Sequence, residues 1–168
     1  FRKLDVKGCA FIEYAPLKTA WVPVLGDNYL YIYCLWVQGE PKGRSYGRAL
    51  LTSCLEDARA QGKSGVCMLG AAKQKAWLSA KRQTIDEKEL TVYYDDQCPY
   101  IPQRIEKLRA YCGEKDIPVR FIRVATLAQA KALPCVFNNW AVFYGGRFVT
   151  VNQIDGAAVE KLLKKECN

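Results

Sequence analysis

The stretch Lys42-Gly43-Arg44-Ser45-Tyr46-Gly47-Arg48-Ala49 gathers three cations and two glycines between an apolar run and an amphipathic one. Residues 44–49 fit the spacing Q/R-x-x-G-x-G/A. Small residues let a backbone approach a phosphate, and the free N–H groups of a helix's first turn face it with a partial positive charge behind them. The chemistry this predicts is the holding of a diphosphate, with Lys42, Arg44 and Arg48 adding charge-assisted contacts. The alternative is an ordinary basic helix start in which Gly43 and Gly47 serve only a turn. A dinucleotide fingerprint (G-x-G-x-x-G) and a GK[ST] loop are both absent, which removes those two readings. A second reactive place is Cys98 in "YYDDQCPYIP", where a strand gives way to a helix expected to begin at Pro99. A thiolate is stabilised at such a terminus. A packed, unreactive cysteine is the competing reading.

Composition limits what else the chain can do. There is no histidine, so acid–base chemistry falls to Glu, Asp, Tyr, Cys, Lys or water. Among the carboxylates, Glu13 lies inside an otherwise apolar strand, where burial tunes a carboxylate toward base chemistry near neutral pH. A solvent-facing Glu on an alternating strand is the plainer alternative. The formal charge is +8, and it is uneven: 14 Lys and Arg against 8 Asp and Glu give +6 over residues 1–88, while 11 against 9 give +2 over residues 89–168. The excess sits in the half that contains the cationic loop, which favours anionic partners. The cations cluster in one loop and do not line a groove with interleaved aromatics, so nucleic acid is not an expected partner. Eight scattered cysteines, with no CxxC pair, read as reduced small hydrophobes of a cytoplasmic protein, with no metal site. No apolar span is long enough for membrane insertion.

These groups need elements to hold them. At 168 residues and 50% hydrophobic composition, the chain can bury a core as one domain or as two small ones. Cys9–Pro16, Thr19–Val24 and Tyr29–Val37 read as strands, the second an edge because of Pro23. From Tyr46 to Gln61 apolar residues recur at helical spacing, with Gly62 as the stop, and Gly65–Gly70 is the next strand. A second helix is expected over Lys73–Arg82. The polar stretch Gln83–Glu89 reads as a boundary between domains 1–85 and 89–168. Beyond it the pattern is β-α-β-α-β-β-α: a strand from Leu90, a helix with Pro at its start, Val119–Val124, a helix capped by Thr126, a hairpin around Gly145-Gly146, and a last helix from Asp155 to Lys165. That order matches a thioredoxin-like sheet, so the whole is of α+β and α/β class.

The strand–loop–helix "LWVQGEPKGRSYGRALL" resembles the GNAT superfamily of acetyl-coenzyme A-dependent N-acetyltransferases, over about Cys9–Arg82. "IEYAP", "YIYCLWV", "KGRSYGRALL" and "GKSGVCML" are similar to strings of the YoaP-like group, which carries an extra C-terminal domain. The resemblance implies a mixed, mostly antiparallel GNAT sheet with helices, followed by a thioredoxin-like domain. It implies acetyl-CoA as cofactor, its pantetheine arm beside the backbone of Leu35, Trp36 and Val37, and its pyrophosphate cradled by the N–H groups of Arg44, Ser45, Tyr46, Gly47, Arg48 and Ala49. It also implies direct acetyl transfer to an amine of a small molecule or peptide, with Glu13 and Tyr33 as candidates for the chemistry. The family's usual acid, a tyrosine on the next helix, has no counterpart, because Lys73–Arg82 offers Trp77, Ser79 and Lys81 instead. The family's first strand, two acceptor-side helices and closing strands are also not recognisable, so the first domain reads as incomplete. In the second domain "CPYI" resembles the CPYC site of glutaredoxins, with Ile101 in place of the second cysteine. Two functions compete with acetyl transfer: monothiol redox chemistry at Cys98, with Cys135 a conceivable partner, and coenzyme A binding without catalysis.

Overall fold

A computed structural model describes residues 1–40, 43–69 and 84–166. Lys42 and the helix expected over Lys73–Arg82 lie outside the described residues. The chain divides into two compact units, Phe1–Ala71 and Ala72–Asn168.

In the first unit a four-stranded sheet runs β1 (Arg2–Lys3), β2 (Cys9–Pro16), β3 (Tyr29–Gln38), β4 (Gly65–Met68), in that spatial order. The first three strands are antiparallel neighbours, and β4 is parallel to β3. Helix α1 (Tyr46–Ala60) joins β3 to β4, as a parallel pair requires. Its buried residues Leu50, Cys54 and Ala58 recur every four positions and pack on Ala10, Ile12, Leu30 and Ile32. Each of the large side chains so buried contributes about 1.5–3 kcal/mol. Gln61 caps the helix, and Gly62 at φ +63° turns the chain out, as its position after the apolar periodicity predicts.

The strand expected over Thr19–Val24 does not form. Leu17–Thr19 is a turn of 3₁₀ helix, and the residues after it take irregular paths. The reason is local: the Ala20 N–H bonds the Leu17 carbonyl, the Trp21 N–H bonds the Tyr33 hydroxyl at 2.7 Å, and Pro23 has no N–H to give. Leu17, Ala20 and Val22 still fill a core, on the opposite side of the sheet from α1 and around buried Tyr31. The third strand of the meander is instead the short β1, whose Arg2 bonds Tyr14 and Asp57 side chains. Arg2 and the Tyr14 hydroxyl hold the Asp57 carboxyl below the usual carboxylate range.

The second unit has the order β-α-β-α-β-β-α anticipated from its patterning: β5 (Leu90–Tyr94), α2 (Ile101–Glu114), β6 (Val119–Arg123), α3 (Leu127–Ala132), β7 (Trp140–Tyr144), β8 (Arg147–Thr150), α4 (Gly156–Glu166). The sheet runs β6-β5-β7-β8, with β5 parallel to β6 and antiparallel to β7. On one face Ile101, Ile105, Leu108 and Cys112 of α2 and Val159 of α4 pack against Leu90, Val92, Trp140 and Val142. The β7–β8 turn uses Gly145 and Gly146 at φ +59° and +75°, which glycine adopts without steric cost. From Thr84 on, the polar stretch read as a boundary is tied to this turn. The Ile85 N–H donates to the Gly146 carbonyl at 2.9 Å, and Thr84 bridges Arg147. A Cβ on Gly146 would lie 2.8 Å from the Ile85 carbonyl oxygen, so the strap itself demands glycine there.

No disulfide joins the described cysteines. No helix among the described residues is long and apolar enough to cross a membrane.

Candidate functional site

The site is built on β3, and β3 changes character halfway along. Its pairing with β2 runs from Cys9 opposite Gln38 to Glu13 opposite Cys34, then resumes with Tyr14 opposite Ile32, which leaves Tyr33 as a bulge. One extra residue reverses the alternation of faces. Leu30 and Ile32 pack toward α1 before the bulge, and Leu35 and Val37 do so after it. Trp36 therefore lies on the other face, 49% exposed. The partner on the far side, β4, pairs only with Tyr29–Ile32. Beyond Ile32 no described strand pairs with that edge of β3, alongside Leu35, Trp36 and Val37. An extended chain can add to a strand edge through its backbone.

At the end of β3 the chain turns into α1. Gly43 adopts φ +83°, and Ser45 adopts φ +60°, a left-handed conformation that costs a non-glycine residue about 1 kcal/mol or more. Ser45 occupies the N-cap but its side chain makes no capping bond, and no acidic residue stands in the first turn. The first intrahelical bond is Ala49 N–H to the Ser45 carbonyl at 3.1 Å. The N–H groups of Tyr46, Gly47 and Arg48 precede it and have no intrahelical acceptor. Arg44 and Arg48 make no ion pair among the described residues.

At Gly47 φ is not positive, and among the described residues a Cβ there would meet only the Val37 Cγ2 at 3.8 Å, an ordinary contact. Neither backbone nor packing requires glycine, although glycine within a helix costs up to about 1 kcal/mol relative to alanine. A glycine there keeps the backbone of the first turn open to close approach, and a diphosphate is a group that such amides, with Arg44 and Arg48 beside them, could hold.

The structure brings Glu13 and Tyr33 together at the β2–β3 bulge of the first unit. Glu13, half-buried, faces Cys34 across the β2–β3 ladder, at the bulge formed by Tyr33. The Tyr33 hydroxyl accepts the Trp21 N–H, and its ring packs edge-on to Tyr31 at 5.1 Å. Both the bulge and the Trp21 contact escaped the sequence reading. A bulge leaves no mark in a run as apolar as "YLYIYCLWV".

Cys98 is placed differently from expectation. The helix begins at Ile101, not at Pro99, and Cys98 lies in the turn before it, half-buried against the core of the second unit. The Ile101 N–H is spent on the Cys98 carbonyl at 3.0 Å, and Pro102 has no N–H. Cys135 is buried, which pushes its thiol up to about 12, so it is no ready thiolate partner. A different group at this turn was missed: Asp95 is fully buried, and one carboxyl oxygen accepts the Gln97 N–H at 3.0 Å while the other has no partner. Burial pushes its carboxyl up to about 6, the Gln97 bond working against the shift and Asp96 adding to it. The signal was present in the sequence, as an acid directly following the strand "LTVYY".

Residues 5–77 match the Acetyltransferase (GNAT) family, and residues 118–165 match the YoaP-like family. The chain is 29% identical over 202 aligned positions to the uncharacterized N-acetyltransferase YoaP of Bacillus subtilis (strain 168), covering 97% of this chain and 80% of that protein. The alignment is longer than the 168 residues of this chain, so the relative carries insertions within the shared span. No solved structure matches. The mixed sheet and helix of the first unit fit the GNAT fold.

Proposed function

Because this chain is an acetyltransferase, with a GNAT domain at residues 5–77 and a YoaP-like domain at 118–165, we propose that its donor is acetyl-CoA and its acceptor an amine of a small molecule or peptide. The observation that carries this reading is the conjunction of a stretch of β3 that no described strand pairs on its β4 side with a helix start, lacking a side-chain cap, a few residues later. An extended pantetheine arm suits the first, and a diphosphate suits the second. The N–H groups of Tyr46, Gly47 and Arg48 bind the diphosphate, and Arg44 and Arg48 neutralise its charge; Lys42 belongs to the same cationic run. The backbone of Leu35, Trp36 and Val37 orients the arm as an added strand.

Transfer is direct. The amine nitrogen, once neutral, attacks the thioester carbonyl carbon, the C–S bond breaks, and the thiolate takes up a proton. Glu13 is the candidate base for the ammonium proton, and Tyr33 stands at the bulge where the thioester would end its run along the strand. The second unit is read as a thioredoxin-like module that positions substrate or partner, supported by its sheet order β6-β5-β7-β8. A redox role for Cys98 has less support, since the Ile101 N–H is bonded to the Cys98 carbonyl and Pro102 has no N–H to offer a thiolate.

Calorimetry with acetyl-CoA, coenzyme A and ADP tests the reading. Acetyl-CoA and coenzyme A should bind with similar affinity, and ADP about tenfold or more weaker, because it lacks the arm. Equal affinity for all three, or none, would overturn it. Binding of coenzyme A with no acetyl turnover on a broad amine panel would leave a binding module in place of an enzyme.

A further inference from the structure

A cleft of about 310 Å³ opens in the second unit between α2 and the start of α4. Its floor is apolar, made by buried Leu108 with half-buried Tyr111 and Ile154. The Tyr111 ring lies so close to Gly156 that a Cβ there would come within 2.6 Å of it, so ring and backbone form one tight wall. The Tyr111 hydroxyl also donates to the Glu160 carboxylate, which fixes the ring from its far end.

Along the rim stand Arg104 and Lys107, both exposed, one turn apart on α2. Their helical neighbours at three and four positions are Tyr100, Ile101, Gln103, Leu108, Ala110 and Tyr111, with no acid among them. Neither makes an ion pair among the described residues. Like charges three apart on a helix are mildly destabilising, in contrast to Lys164 and Glu160 on α4, which pair at 3.9 Å. The opposite rim carries one acid, Asp155, whose Oδ1 is committed to the Ala158 N–H at 2.9 Å. The cleft thus pairs an apolar floor with a rim of two cations against one acid, at the small end of the roughly 300–1,000 Å³ usual for ligand pockets.

We propose that this cleft binds a small organic anion, a carboxylate or phosphate ester on a flat apolar body. Arg104 and Lys107 hold the anionic group, and Leu108, Tyr111 and Ile154 hold the body. The site is independent of the loop at residues 43–49 and of the acetyl-transfer reading.

Phenyl phosphate is the probe, titrated into the full chain while amide chemical shifts are followed by NMR. Saturable shifts are expected at Leu108, Tyr111 and Gly156, with a dissociation constant of about 1 mM or tighter. Phenol, the same body without charge, and inorganic phosphate, the charge without the body, should each bind about tenfold or more weakly. The exposed double variant Arg104→Gln/Lys107→Gln should weaken phenyl phosphate by about tenfold while the rest of the spectrum stays in place. The proposal is overturned by an absence of shifts at those three residues, by phenol binding as tightly as phenyl phosphate, by an unchanged constant in the double variant, or by shifts confined to residues 43–49.

Discussion

Between β3 and α1 the backbone enters the helix through Ser45 in the left-handed region and leaves the amides of Tyr46, Gly47 and Arg48 ahead of the first helical bond. Between β5 and α2 it enters through Tyr100, commits the Ile101 N–H to the Cys98 carbonyl, and follows with Pro102. A third start, at α3, is closed by a reciprocal pair: the Thr126 hydroxyl accepts the Gln129 N–H at 3.2 Å, and the Gln129 side chain accepts the Thr126 N–H at 3.1 Å. Where helix amides serve only the fold, the sequence supplies a cap, a carbonyl or a proline. Where they are left uncapped, the neighbours are two arginines and a glycine that the packing does not need. The difference lies in electrostatics more than in shape, since α1 and α2 have nearly equal length and a similar amphipathic pattern.

The comparison can be broken first at Gly47. Gly47→Glu should weaken coenzyme A binding about a hundredfold, because a carboxylate in the first turn competes for the amides and repels the diphosphate. Its thermal unfolding midpoint should not fall, as the only contact a Cβ meets there among the described residues is with Val37. A loss of stability matching the loss of binding would mean that the glycine serves the fold after all.

The β5–α2 passage yields the next largest effect. Asp95 holds its proton more tightly in the folded state than in the unfolded chain, because burial raises its carboxyl to about 6. Its contribution is therefore fully favourable near pH 4 and declines as pH rises to about 6, by roughly 2–3 kcal/mol in all, levelling off above. Denaturant unfolding across that range should show the decline in the wild type, and Asp95→Asn should flatten it. An identical slope in both chains would remove Asp95 from the account. The smallest effect is expected at α3: Thr126→Ala should cost about 1 kcal/mol of stability in urea unfolding and leave coenzyme A affinity unchanged.

Much of the scaffold was legible because its signals are local. Apolar residues at helical spacing placed α1, Thr126 marked the start of α3, and Gly145-Gly146 marked the hairpin. What escaped depends on contacts distant in sequence. Thr19–Val24 has strand-forming residues, yet the Tyr33 hydroxyl takes the Trp21 N–H that a ladder would have used. Gln83–Glu89 looks like a linker by composition, yet backbone bonds from Ile85 and to Lys88 tie it to the β7–β8 turn, and Arg120 pairs with Glu87 at 2.9 Å. At the site, the cationic loop could be read from spacing and charge. The register of β3 with β4 could not, because it depends on contacts distant in sequence.

The surplus residue in β3 makes that strand two ribbons spliced half a period out of phase. Deleting Tyr33 would restore strict alternation while keeping Leu35 and Val37 on the α1 side and Trp36 opposite, and would remove the hydroxyl that accepts the Trp21 N–H. Both halves of the strand keep one hydrophobic face against α1, so the extra length acts as a phase setting that no single side-chain substitution can reproduce.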